Sequence, residues 1–215
     1  MATAITGKRI FQAYRPGLRS VCASAQQLRE SYHEKGYAVI RNAICPSLVA
    51  ETQEHVEWLM DRYPGVPPEK LQHPLSFVDP FWLRLVSEPQ LVDLAETYLG
   101  TGDIALFVSH YVCKMPGSGQ QVKWHQDASY FDVESSTPGT LAEPLNLWLA
   151  VDRATQHNGC LQVIPGSHKR GSMEVQSTDS GDVLGSTVAQ DVDESTAEFI
   201  ELEPGQCFPA GLGDT

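Results

Sequence analysis

As far as Gly100 the apolar positions recur at helical spacing; beyond it they alternate at strand spacing. Ala25, Leu28 and Tyr32 predict a helix stopped by Gly36, and Tyr37–Arg41 reads as a short strand. Cys45-Pro46-Ser47 opens a second helix whose stripe is Leu48, Val49, Thr52, Val56, Leu59 and Met60, with Glu51, Glu54 and Glu57 toward water. Tyr63–Ser76, rich in proline, reads as loop. Asp79-Pro80 starts a third helix carrying Phe81, Trp82, Leu85 and Val86. Glu88-Pro89 breaks it, and Leu91, Val92, Leu94, Ala95 and Leu99 form a fourth that Gly100 ends.

Ile104–Cys113 alternates as a strand, with Ile104, Leu106, Val108, His110 and Val112 on one face. A turn at Met115–Gly119 leads into a second extended stretch, Val122–Phe131, and Asp132–Pro144 reads as a polar loop. Leu145–Val151 is the clearest strand. Asn146, Trp148 and Ala150 share one face; Leu145, Leu147, Leu149 and Val151 share the other. Asn158-Gly159 predicts a hairpin turn, with Cys160–Ile164 returning as the partner strand. Gly171–Ala197, acidic and rich in Ser, Thr and Gly, reads as a long mobile lid or insertion. Phe199–Glu203 alternates as a last strand, turned by Pro204-Gly205. No internal repeat is visible. Helices followed by many strands predict a mainly β domain with flanking helices, a double-stranded β-helix or jelly roll of cupin-like form.

Composition narrows the function classes. With 215 residues, 41% hydrophobic and 20% charged, the chain suits one globular domain with a sizeable core. A formal net charge of -12 argues against a general nucleic-acid binder. No apolar run approaches the ~18 residues of a membrane span. Five scattered cysteines, with no Cys-x-x-Cys pair, favour a reducing compartment over a disulfide framework. Residues 1–24 are basic, free of acids and rich in Ala, Ser and Thr, which fits either a flexible tail or a mitochondrial transit peptide. The expected location is cytoplasmic, with the mitochondrion as the alternative. Oligomeric state is left open by the sequence.

The candidate chemistry lies at Trp124-His125-Gln126-Asp127. His and Asp two positions apart in a strand point the same way, and a neutral imidazole beside a carboxylate can share one divalent ion. Alone, His-x-Asp is a weak signal. Gln126 faces the other way and reads as a structural hydrogen-bonder. His110, on an apolar face, reads first as a satisfied core histidine.

Several motifs then align: Trp124-His-Gln-Asp127, Leu147-Trp-Leu-Ala-Val-Asp152, Asn158-Gly-Cys-Leu161, Ile164-Pro-Gly-Ser-His-Lys169 and Leu202-Glu-Pro-Gly205. In this order they resemble the phytanoyl-CoA dioxygenase family of Fe(II)- and 2-oxoglutarate-dependent oxygenases, over about Leu28 to Gly205. The resemblance implies a dioxygenase that hydroxylates a small organic substrate, with iron, 2-oxoglutarate as cosubstrate and ascorbate as a possible addition. It implies His125 and Asp127 as metal ligands and Trp148, His110 and Lys114 as cosubstrate-binding residues. In related halogenases a small residue replaces the carboxylate, so Asp127 points to hydroxylation. His168, Asn158-Gly159 and Pro165-Gly166 read as structural.

The resemblance also calls for a second iron-binding His and a 2-oxoglutarate-binding Arg on the last strands. No His follows His168 and no Arg follows Arg170. Pro209, Gly211 and Gly213 are poor strand formers. The expected organisation is therefore a tail over 1–24, a jelly-roll domain over 25–207 whose last strands are missing, and a non-family tail over 208–215. The alternative function is a catalytically incomplete jelly-roll fragment, and the expectation is poor turnover of 2-oxoglutarate.

Overall fold

A computed structural model describes residues 22–71, 79–117, 122–127, 144–171, 173, 175–177, 186–188 and 192–211. The predicted tail or transit peptide falls almost wholly outside them, as do the loop over 132–143, His73 and Gly213.

Among the described residues four α-helices come first: α1 (Cys22–Lys35), α2 (Pro46–Arg62), α3 (Pro80–Val86) and α4 (Pro89–Leu99). Proline stands in the first turn of α2, α3 and α4, where its missing N–H costs nothing. Asp79 caps α3 by accepting from the Phe81 N–H at 2.9 Å. The same carboxylate is paired with His55 of α2, whose ring stacks on Phe81 with centroids 3.8 Å apart. His55, expected to be only a half-exposed helical residue, therefore fastens α2 to α3.

Six strands follow among the described residues: β1 (Leu145–Leu149), β2 (Leu161–Val163), β3 (Val175–Ser177), β4 (Ser186–Val188), β5 (Glu198–Ile200) and β6 (Cys207–Gly211). Among the described residues they form three two-stranded antiparallel sheets, β1–β6, β2–β5 and β3–β4. Helices hold more of the described residues than strands do.

The β1 faces divide as the alternation predicts. Leu145, Leu147, Leu149 and Cys207 pack with Leu48, Val56, Leu59, Trp82, Leu85 and Leu91 of the helices in the larger core. Trp148, Ala150, Phe208 and Ala210 lie on the inner side with Val163 of β2, Ile200 of β5 and Leu202. The β1–β6 pair is thus sandwiched between the helices and the β2–β5 pair.

Three expectations are corrected. First, Leu145–Val151 and Cys160–Ile164 do not form a hairpin: β1 pairs with β6, and β2 with β5. The Asn158 side chain is spent locally, accepting from the Thr155 N–H at 2.6 Å, and Gly159 at φ 85° ends a single helical turn that carries the chain to the other sheet. Second, Ile104–Cys113 belongs to none of these sheets. Third, Cys207–Gly211 is a strand. It pairs with β1 on one side and bridges Tyr37 and Ile40 on the other. Pro209 is tolerated because its nitrogen faces the short Tyr37–Ile40 segment, where Ala38 N–H still donates to Pro209 O at 3.1 Å. The predicted lid over Gly171–Ala197 falls partly outside the described residues; within it β3 pairs with β4.

Candidate metal centre

The segment 122–127 is not a strand, which corrects the basis on which His125 and Asp127 were expected to converge. They converge all the same. The backbone bends at Trp124 and begins to turn at Asp127, and His125 Nε2 lies 3.3 Å from Asp127 Oδ1. Both side chains remain open to solvent, at 22% and 32% of their surface.

Gln126, between them, turns inward and is 3% exposed. Its Nε2 donates to Gly171 O at 3.2 Å, and its Oε1 accepts from Met173 N–H at 2.8 Å. Its structural role stands as read. The bond spans also tie the bend to the start of the 171–197 segment.

The tautomer of His125 follows from its partner. Nδ1 lies 2.8 Å from Lys123 O, and a carbonyl only accepts, so Nδ1 carries the hydrogen. In the neutral ring Nε2 then holds the lone pair, and it faces a carboxylate oxygen. Two lone-pair donors at this distance suit a shared cation. Ligands ~2.1 Å from one ion and at right angles stand ~3 Å apart, close to the observed separation. The donor set of an imidazole and a carboxylate fits Fe(II).

Asn146, on the inner face of β1, donates from Nδ2 to Asp127 Oδ2. It is 6% exposed. Sequence reasoning missed it; the available signal was a buried amide on the Trp148 face of an otherwise apolar strand. His110 lies half-buried. Burial holds its pKa below the ordinary histidine value, and the Asp127 carboxylate acts in the opposite sense. Trp148 packs in the inner apolar cluster. Lys114 Nζ donates to Gly159 O at 3.1 Å, and a Cβ on Gly159 would stand 2.8 Å from Lys114 Cδ. His168 bonds through Nε2 to His33 O at 3.2 Å, in keeping with a structural role. Among the described residues no group of three or more His, Cys, Asp or Glu side chains is arranged to hold a metal ion, and no helix is long and apolar enough to cross a membrane.

The comparisons with known proteins agree in kind. A family model described as "Phytanoyl-CoA dioxygenase (PhyH)" matches residues 32–208. The bovine phytanoyl-CoA dioxygenase domain-containing protein 1 is 37% identical over 127 residues, covering 57% of this chain and 42% of its own length. A phytanoyl-CoA dioxygenase of Arabidopsis thaliana is 38% identical over 104 residues, covering 47% and 34%. The matches thus span less than half the length of these curated relatives. Among solved structures, EvdO2 from Micromonospora carbonacea var. aurantiaca, complexed with 2-oxoglutarate, aligns with a TM-score of 0.66 at 23% identity, over 87% of this chain and 81% of its own. EctD from S. alaskensis, with 2-oxoglutarate and 5-hydroxyectoine, aligns with a TM-score of 0.65 at 18% identity, over 99% and 76%. These likenesses show a shared fold.

Proposed function

The chain belongs to the phytanoyl-CoA dioxygenase family, and from that premise we propose that it serves an Fe(II)- and 2-oxoglutarate-dependent dioxygenase acting on a small organic substrate. The observation that carries this reading is the 3.3 Å approach of His125 Nε2, in its lone-pair tautomer, to Asp127 Oδ1. The family and the solved neighbours' bound 2-oxoglutarate support it. The strands described here belong, on this reading, to a jelly roll.

Each residue then has a definite task. His125 and Asp127 would hold the iron, which when bound supplies the activation of O₂ with 2-oxoglutarate. Lys123 O fixes the His125 tautomer so that the lone pair faces the ion. Gln126 anchors the turn from behind through its two backbone bonds. Trp148 and the inner cluster of Ala150, Phe208 and Ala210 form an apolar wall that excludes water from this side of β1. His110, whose pKa burial holds below the ordinary histidine value, would stand on the cosubstrate side as a hydrogen-bonding group. Asp127 supplies the carboxylate that suits hydroxylation.

The test is anaerobic addition of Fe(II) and 2-oxoglutarate to the purified chain, read by the visible charge-transfer band of the chelate. The band is expected with the wild-type chain and lost in His125→Ala. A band of equal strength in both refutes the assignment. Succinate formation on admitting O₂ then measures whether these 215 residues complete the reaction.

A further inference from the structure

Resting on the reading of His125 and Asp127 as iron ligands, we propose that Asn146 is a positioning residue that keeps Asp127 a one-oxygen ligand. It thereby preserves the number of open positions on the ion.

Asn146 is the second residue of β1, paired in register with Ala210. Its neighbours Leu145 and Leu147 point into the helical core, so the amide faces inward and is 6% exposed. A buried amide of this kind demands a partner. That partner is Asp127 Oδ2, which as a carboxylate oxygen only accepts, so the amide presents its N–H₂ to it. The other oxygen, Oδ1, is the one facing His125 Nε2. The two carboxylate oxygens thus have separate tasks: one is held by the strand and the other is presented beside the imidazole.

Carboxylates bind cations through one oxygen or both. An octahedral ion held by His125 and one oxygen of Asp127 keeps its remaining positions for the two oxygens of the chelating oxo-acid, for O₂ and for one further ligand. If Asp127 closed down with both oxygens it would occupy one of them. A charge-assisted bond to Asn146 must break before Oδ2 can turn toward the ion. The amide sits on a strand fixed by β6, so it cannot follow the carboxylate. Asn146 therefore acts through Asp127 on cosubstrate binding.

The experiment loads the 215-residue chain with Co(II) and titrates in 2-oxoglutarate, following the d–d absorption, whose intensity reports coordination number. Asn146→Leu has a similar size and no N–H. Asn146→Asp has the same shape and a repelling charge, and keeps the test available if the leucine variant folds poorly. Thermal melting of the metal-free proteins identifies folded material. Either folded variant is expected to bind 2-oxoglutarate about 10–100-fold more weakly than wild type on the Co(II)-loaded protein, the usual effect of losing an outer-shell partner. Its Co(II) spectrum before 2-oxoglutarate is expected to shift. A residue needed only for packing would move the melting temperature and leave the spectrum unchanged. Unchanged spectra and unchanged 2-oxoglutarate affinity in a folded variant, while His125→Ala loses Co(II), overturn the role of Asn146 alone. If His125→Ala also binds Co(II) as wild type does, the ligand assignment itself fails.

Discussion

Replacing Gly205 by alanine tests the turn that sets β6 against β1. Gly205 adopts φ 81°, a left-handed conformation that costs other residues about 1–2 kcal/mol. Its N–H donates to Ala150 O at 2.8 Å, and its carbonyl accepts from Ala43 N–H at 2.9 Å. A Cβ added there would lie 2.8 Å from Val49 Cγ2 and 3.3 Å from Ile44 O. Val49 is β-branched, buried and on α2, where one χ1 rotamer is strongly preferred, so it yields little. Overpacking of this kind costs about 1–3 kcal/mol. The expected total is ~2–5 kcal/mol, a large part of the ~5–15 kcal/mol by which domains are stable. Gly65 supplies the control. It has φ 87° and nothing within 4 Å of the added Cβ, so Gly65→Ala is expected to cost only the conformational ~1–2 kcal/mol. The assay is urea unfolding followed by tryptophan fluorescence. With a slope of ~2 kcal/mol/M, Gly205→Ala should lower the midpoint by about 1–2.5 M and leave the slope unchanged. If the two variants agree within ~0.5 kcal/mol, the close packing of the turn on α2 is refuted.

Two further predictions follow from single contacts. Gln126→Leu removes the amide that serves Gly171 O and Met173 N–H; a destabilisation of ~1–3 kcal/mol and faster hydrogen exchange at Met173 are expected, and an unchanged exchange rate would contradict the strut. Tyr37 donates to Glu198 Oε2 at 2.5 Å, and burial followed by that bond and charge raises its pKa well above the ordinary tyrosine value. A raised pKa means the folded state holds the proton longer than the unfolded one, so the contribution is complete below pH ~10 and is lost as pH rises beyond it. Tyr37→Phe should flatten the fall in stability above pH ~10; an unchanged slope would assign that fall to other groups.

The helices were legible because their boundaries are local chemistry. Pro46, Pro80 and Pro89 open three of them, and Gly100, at φ 68°, closes the last. The faces of β1 were legible from alternation, and both cores follow it. The strand at Cys207–Gly211 was not, because Pro209 and Gly211 lower its intrinsic preference; its conformation is set by partners on both sides, and partners distant in sequence leave no local mark. The expected hairpin at Asn158-Gly159 failed for a related reason. The Asn-Gly pair marks a reversal of the chain, but the Thr155–Asn158 capping bonds use it to end a helical turn. At the site, the pairing of His125 with Asp127 was read correctly from a wrong geometry: a bend, not a pleat, brings them together. Asn146 was hidden because nothing in its own neighbourhood of sequence points 19 positions back to Asp127. Lys114 was expected by resemblance near the cosubstrate, and its bond to the Gly159 carbonyl left no mark in the sequence.

The central claim is that His125 and Asp127 hold one ion between them. Its most direct measurement is the Co(II) or Fe(II) affinity, under anaerobic conditions, of the wild-type chain, His125→Ala, Asp127→Ala and the double variant. Shared coordination predicts that each single change weakens binding at least ~10-fold and that the double change adds little, because either loss already breaks the chelate. Affinities unchanged in both single variants would contradict the claim, and so would losses that simply add.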